Sequence, residues 1–339
     1  MREAVIALDE EHRIQFANQS ACNLFNWSSI PQNQPIQEVL KVNTILQFLQ
    51  EKAASEAPWV EIETEKKQTL LARLTTQSYT QEEVLVISDI TALRRLETVR
   101  RDFVANVSHE LRTPTTVIQI NAETLMNGAL EDPKMSRVFL DAIYRNAQRL
   151  SALVSDLLDL SRIESGTYTI EPCWINAYQV ICHVVDALAD QLIDKSMKIK
   201  IKIDPQLEVY ADKQAFEQIM TNLIENAIKY SFEQGKIKVV LKEDPQSDQK
   251  LERDGLTFEV IDEGPGISPK HQTRLFERFY RIDTGRSRKR GGTGLGLAIV
   301  KHLCQNMEGK VGVHSEEGKG SSFWFTLPLP VIVNQDEKQ

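Results

Sequence analysis

The chain has 339 residues, which at about 150 residues per domain points to two or three domains. With 41% hydrophobic and 26% charged residues, 15 Gly and 12 Pro, it is neither disordered nor collagen-like. Lys and Arg number 40 against 48 Asp and Glu, a net charge of −8 that excludes general coating of nucleic acid or anionic lipid. Cys22, Cys173, Cys182 and Cys304 fall in no CxxC or CxxxH pattern, which argues against zinc and against a secreted disulfide framework. No run approaches the roughly 18 apolar residues of a membrane span. Met1-Arg2-Glu3 leads straight into a strand pattern without a signal peptide, so a soluble chain is expected.

The first ninety or so residues read as a small α/β unit. Val5 to Leu8 is a buried-strand pattern, Asp9 to His12 a polar turn and Ile14 to Ala17 a second strand, so a hairpin opens the domain. Asn18 or Ser20 is placed to cap a helix holding Ala21, Leu24 and Phe25, and Leu70 to Leu74 and Val84 to Ile87 supply later strands. With Asn18 after the second strand and a closing Asp89-Ile90-Thr91, residues 1–91 resemble a PAS sensor domain. His12 reads as a solvated turn residue and Cys22 as packing.

From about Ala92 the period becomes helical. Val104, Leu111, Ile118 and Leu125 recur every seven residues, with Val107 and Pro114 between them. Asn127-Gly128 to Asp132-Pro133 breaks the pattern, and a second helix follows with the seam Phe139, Ile143, Asn146, Leu150, Leu153, Leu157 and Leu160. One hairpin does not bury two apolar stripes, so residues 92–165 are expected to dimerise into a four-helix bundle. Residues 166–332 mix strands (Met197 to Ile203, Lys236 to Leu241, Leu256 to Ile261, Lys310 to His314, Ser322 to Leu327) with helices (Ala177 to Ile193, Asp212 to Tyr230, Gly294 to Asn306). Asp244 to Asp248 reads as a hairpin loop and residues 333–339 as a frayed tail. The fold class is therefore multidomain α+β.

His109 lies about 140 degrees from the Val104 stripe and so points to solvent. Thr113, four residues on, shares its face, and Glu110 is placed to accept the Nδ1 proton, leaving Nε2 as the nucleophile. Pro114 removes a backbone hydrogen bond and is expected to kink the helix. The string Phe103-Val104-Ala105-Asn106-Val107-Ser108-His109-Glu110-Leu111-Arg112-Thr113-Pro114 closely resembles the H-box of bacterial sensor histidine kinases. The resemblance implies a phosphoacceptor at His109, assistance from Glu110 and a phosphatase role for Thr113.

Four further segments complete the pattern. On a helix, Asn222, Asn226, Lys229 and Tyr230 follow at spacings of four, three and one, offering two amide oxygens and an ammonium group on one face, with amide oxygen a suitable Mg²⁺ ligand. Asp262, just past a strand, is placed to accept from an adenine amine, and Gly264 and Gly266 allow close backbone approach. Leu275 to Arg281 is an aromatic-basic cluster in which Arg278 suits a γ-phosphate. Gly291, Gly292, Thr293, Gly294, Leu295 and Gly296 precede a helix and expose backbone N–H groups to phosphate. In order these resemble the N, G1, F and G2 boxes of the α/β-sandwich ATP-binding domain (GHKL type) shared by histidine kinases and the gyrase, heat-shock-90 and MutL ATPases.

That family implies Mg²⁺ at Asn226 supported by Asn222, triphosphate contacts from Lys229 and Tyr230, adenine recognition by Asp262, and an ATP lid from Arg281 to Gly296. The lid's basic cluster, Arg286, Arg288, Lys289 and Arg290, reads as a solvated lid and not a nucleic-acid patch. Domain order resembles that of the phosphate-regulon sensor kinase group. The resemblance implies a cytoplasmic homodimer, or the cytosolic portion of an inner-membrane sensor. It would use ATP and Mg²⁺ to phosphorylate His109 and pass the phosphoryl group to an Asp of a response regulator receiver domain. Two other readings compete: an ATP-hydrolysing clamp, disfavoured because Asn222 stands where the clamps carry a water-activating Glu, and a silent sensor scaffold, disfavoured because the motifs are intact.

Overall fold

The computed structural model describes residues 3–40, 59–64, 67–76, 83–243, 255–282 and 292–329. The chain divides into two compact units, Met1–Ala105 and Asn106–Gln339.

In the first unit, strands β1 (Ala4–Leu8) and β2 (Ile14–Ala17) form the expected hairpin. Asp9 closes its turn by accepting from the backbone of Arg13 at 2.8 Å and Glu11 at 3.0 Å. His12 is more than a solvated turn residue: it adopts φ 56° and sets Nε2 3.1 Å from the Glu83 carboxylate. Helix α1 (Gln19–Phe25) is capped by Asn18, not Ser20, with the Asn18 side chain also accepting from Val5 N and thus tying helix to strand. A single turn, α2 (Ile36–Val39), follows. Strands β3 (Val60–Glu63), β4 (Thr69–Thr76) and β5 (Glu83–Asp89) complete an antiparallel sheet of order β2-β1-β5-β4-β3. Alternate residues, among them Ile6, Leu8, Ile14, Ile62, Leu70 and Leu85, are buried as the period-two pattern requires. Thr91, which opens the next helix, bonds Asp89 and accepts from Thr69 N at 2.9 Å, fixing the strand-to-helix junction.

Helix α3 (Thr91–Met126) runs on through Pro114 without ending there, and α4 (Pro133–Glu164) returns after a 3-10 turn at Ala129–Glu131. Asp132 caps α4 and Pro133 occupies its first position, so the sequence break and the structural break coincide. Leu125, Leu153 and Leu160 of the expected seams are buried. Val104, Leu140 and Leu158 remain more than half exposed, so the hairpin leaves apolar area that its own helices do not cover.

In the α/β segment, strands β7 (Lys198–Lys202), β9 (Lys236–Glu243), β10 (Gly255–Asp262), β11 (Val311–Glu316) and β12 (Gly320–Pro328) form a sheet of order β11-β12-β10-β9-β7, with only the β7/β9 pair parallel. The proposed Asp244 to Asp248 loop and the 333–339 tail lie outside the described residues, although β9 and β10 pair antiparallel as a hairpin would. Two short strands escaped the sequence reading: β6 (Cys173–Asn176) and β8 (Glu208–Ala211), which pair with each other. The expected helix from Ala177 to Ile193 is two helices, α5 (Ala177–Ala187) and α6 (Ala189–Asp194), broken at Leu188. Helix α7 (Lys213–Tyr230) packs Phe216 against Phe258 and Phe325 of the sheet, at ring separations of 5.2 and 5.9 Å. A single turn, α8 (Pro269–Gln272), and helix α9 (Gly296–Asn306) complete the segment. Packing of α9 on both α7 and α4 joins hairpin and α/β segment in one unit.

Candidate functional site

His109 is exposed on α3, as its heptad position demands. The helix around Pro114 is held by three hydroxyls that donate to carbonyls four residues back: Thr113 to His109 at 3.2 Å, Thr115 to Leu111 at 2.8 Å and Thr116 to Arg112 at 2.9 Å. The three accepting carbonyls flank that of Glu110, whose ladder partner, Pro114, has no N–H to give. Glu110 is not turned to the His109 ring. Consecutive helical residues diverge by about 100 degrees, and the Glu110 carboxylate instead meets Arg149 of α4 at 2.8 Å and lies 3.9 Å from Arg281.

The nucleotide-box residues of α7 gather along one edge of its buried face. Asp212 starts the helix by accepting from Ala215 N, and Lys195 ends it by donating to the carbonyls of Ile228 and Lys229, a cation where the helix dipole favours one. Asn222, Asn226 and Lys229 are each half-buried, with Asn222 donating to the Gln218 carbonyl at 3.0 Å. Lys229 lies 5.3 Å from the Tyr230 ring centroid and so close to Gly292 that a methyl group there would meet Nζ at 2.0 Å. Burial, then the nearby Arg281 charge, pulls its ammonium down to about 8.

Asp262, at the end of β10, is only 5% exposed and accepts from Gly264 N at 2.8 Å. Burial pushes its carboxyl up to about 6 despite that bond. Gly264 brings the chain within 2.7 Å of the Asp262 oxygen, measured from where a Cβ would stand. After α8, the Tyr280 hydroxyl lies 2.6 Å from His271 Nδ1, with Arg274 stacked over its ring. Arg278 pairs with Glu164 at the end of α4, which His302 of α9 also reaches at 3.3 Å.

At the start of α9, Gly294 takes φ +75° and receives Phe279 N at its carbonyl, and Gly296 leaves room for the Asn222 amide, 2.6 Å from a would-be Cβ. Thr293 donates to Asp156 of α4 at 2.6 Å and accepts from Leu295 N at 3.2 Å. Gln218 likewise donates to Asp159. The rest of the expected lid, including Gly291, Arg286, Arg288, Lys289 and Arg290, lies outside the described residues. Arg149, Asp156, Asp159 and Glu164 carry no motif; the available signal was polar residues set beside a leucine seam. Among the described residues no cluster of three His, Cys, Asp or Glu is arranged to hold a metal, and no helix is long and apolar enough to cross a membrane.

Two family models match this arrangement: the His Kinase A (phospho-acceptor) domain over residues 99–166, and the histidine kinase-, DNA gyrase B- and HSP90-like ATPase over residues 211–331. The phosphate regulon sensor protein PhoR of Pseudomonas aeruginosa is 31% identical over 326 residues, covering 95% of this chain and 71% of PhoR. Sensor histidine kinase WalK of Bacillus subtilis is 34% identical over 335 residues, 97% of this chain and 54% of WalK. The chain belongs to the sensor histidine kinases. It spans about half the length of WalK of Bacillus subtilis and of Staphylococcus aureus strain Newman. Among solved structures, Acinetobacter baumannii histidine kinase AdeS aligns with a TM-score of 0.53 at 27% identity, over 65% of this chain and 98% of AdeS. Histidine kinase ThkA, solved with response regulator protein TrrA, shares the fold with a TM-score of 0.54 at 21% identity, over 96% of both chains.

Proposed function

We propose that the chain is an ATP-dependent protein-histidine kinase that phosphorylates His109 and passes the phosphoryl group to an aspartate of a response regulator. The observation that carries the reading is the convergence of Arg149 and Arg281. Both reach Glu110, beside His109, and both add positive charge around Lys229 in the nucleotide-box row. The phosphoacceptor turn and the triphosphate-binding lysine therefore share one pair of guanidinium groups.

The residues fit the nucleotide. Lys229 is a partly buried cation that anionic oxygens would solvate, Asp262 is a buried acceptor at a strand end, and the glycine-rich turn before α9 presents N–H groups. Asn226 would hold Mg²⁺ through its hard amide oxygen, and the ion would supply charge neutralisation at the phosphates. Arg281 and Lys229 orient the triphosphate and offset its charge, and exposed His109 offers Nε2 for in-line attack. Thr113 serves the reverse dephosphorylation by positioning water, and Arg278 holds the ATP-binding domain on α4.

The exposed apolar side chains of α3 and α4, among them Val104, Leu140 and Leu158, support a homodimeric four-helix bundle. In this reading a PAS-like sensor (1–91) precedes a phosphotransfer hairpin (92–165) and a catalytic domain (166–332), with cytoplasmic ATP as the phosphoryl source. Incubation with γ-labelled ATP tests the reading. His109→Gln should abolish acid-labile labelling while calorimetric ATP binding persists, and labelled wild type should transfer to a receiver domain. Labelling that survives the substitution would refute it.

A further inference from the structure

We infer that Asp156, on α4 and outside every motif, is a positioning residue of the nucleotide site: its carboxylate holds the lid base in the place of a phosphate oxygen and competes with ATP for it. The inference rests on the proposed nucleotide reading and deepens it.

The geometry is a relay of three groups. Asp156 Oδ2 accepts from Thr293 Oγ1 at 2.6 Å, and Thr293 Oγ1 accepts from Leu295 N at 3.2 Å, one residue before α9 begins. A hydroxyl has one proton. While Thr293 gives it to Asp156, neither that proton nor the Leu295 N–H is open to an anion arriving at the glycine-rich turn. These donors, at the N-terminus of a helix, suit an anionic oxygen; the Asp156 carboxylate takes the hydroxyl proton directly, and the Thr293 oxygen it thereby orients takes the Leu295 N–H.

The carboxylate is poorly placed unless the contact is a device. It is largely buried, and Asp159 and Glu225 add negative charge around it, so its ionised form is disfavoured and its proton affinity raised. Two neighbours on α4 grip the same domain away from the lid: Asp159 takes Gln218 at 3.0 Å, and Glu164 takes Arg278 and His302. Of these α4 carboxylates, Asp156 is the one bonded to the lid base among the described residues. Linkage makes the effect reciprocal: nucleotide loosens the Asp156 contact as much as the contact weakens nucleotide.

The test is calorimetric titration of the full chain with ATP and Mg²⁺. Asp156→Asn, which keeps the shape and removes the charge, should lower the ATP Kd by about fivefold or more, at the lower end of typical coupling, and the KM for ATP in His109 labelling should fall with it. A merely structural Asp156 would give unchanged or weaker binding, and either result overturns the inference. Wild type that binds no ATP would instead refute the nucleotide reading. Should Asp156→Asn fail to fold, the Asp156→Cys, Thr293→Cys pair gives a second readout. Saturating ATP should slow disulfide formation, and crosslinking indifferent to ATP overturns the proposal.

Discussion

Arg149 of α4 holds the Glu110 carboxylate at 2.8 Å, in the turn of α3 whose next residue back, His109, faces solvent. Both partners are mostly buried, at 17% and 21% side-chain exposure, so the pair is worth more than a surface bridge. Arg149→Met should leave a half-buried carboxylate without its main cation and destabilise the hairpin by about 1–2 kcal/mol. Urea denaturation of Glu110→Gln, Arg149→Met and the double variant checks it. Strictly additive losses would show that the two side chains do not act as a pair.

Lys229 makes ATP binding sensitive to alkali. Its cation is held to about 8 by burial and by neighbouring arginines. A bound triphosphate favours the charged form, so affinity should be constant below that value and weaken by up to tenfold per pH unit above it. Titrations from about one pH unit below that value to about 1.5 above it read the effect. Lys229→Met should bind weakly and with no such slope; a slope that persists assigns the titration to another group.

The fold was legible wherever local pattern decided it. The hairpin at Val5 to Ala17 and the Asp132-Pro133 start of α4 needed only period, turn and cap chemistry. Strands β6 and β8 were missed because four-residue strands that pair only with each other show too little periodicity. The break at Leu188 was missed because apolar spacing continues across it. The site was legible residue by residue but not in its pairings. Glu110 turning to Arg149 and Arg278 to Glu164 are contacts across 39 and 114 positions, set by how helices pack and not by neighbours in the chain.

Asp262 should give the opposite pH dependence. Its carboxyl is pushed up to about 6 by burial, and only the ionised form accepts well from an adenine amine. ATP affinity should therefore decline as pH falls through 6. Asp262→Asn should cost about 1.5–3 kcal/mol of ATP binding at neutral pH, because an amide nitrogen or a weaker acceptor replaces a charged one. Calorimetry at pH 7 decides it, and wild-type affinity in the variant would remove Asp262 from the adenine site.

Gly266 and Gly318 separate close packing from backbone strain as the reason glycine is needed beside this site. Both have positive φ, +72° and +82°, so any other residue is strained at each. At Gly318 an added Cβ meets nothing within 4 Å, whereas at Gly266 it would stand 2.0 Å from the Glu316 carbonyl oxygen and 2.8 Å from Glu317 Cα. Those neighbours are backbone and have little room to yield. The same turn is pinned to the end of β11 by Ile267 N on Ser315 and by Gly318 N on the Pro265 carbonyl, so displacing it would also disturb Asp262 four residues earlier. Gly318→Ala should cost about 1 kcal/mol, the strain alone. Gly266→Ala should add about 1–3 kcal/mol of overpacking and weaken ATP binding as well. Thermal denaturation and ATP titration of the two variants compare them directly, and equal losses would mean that close approach at Gly266 is not what the site requires.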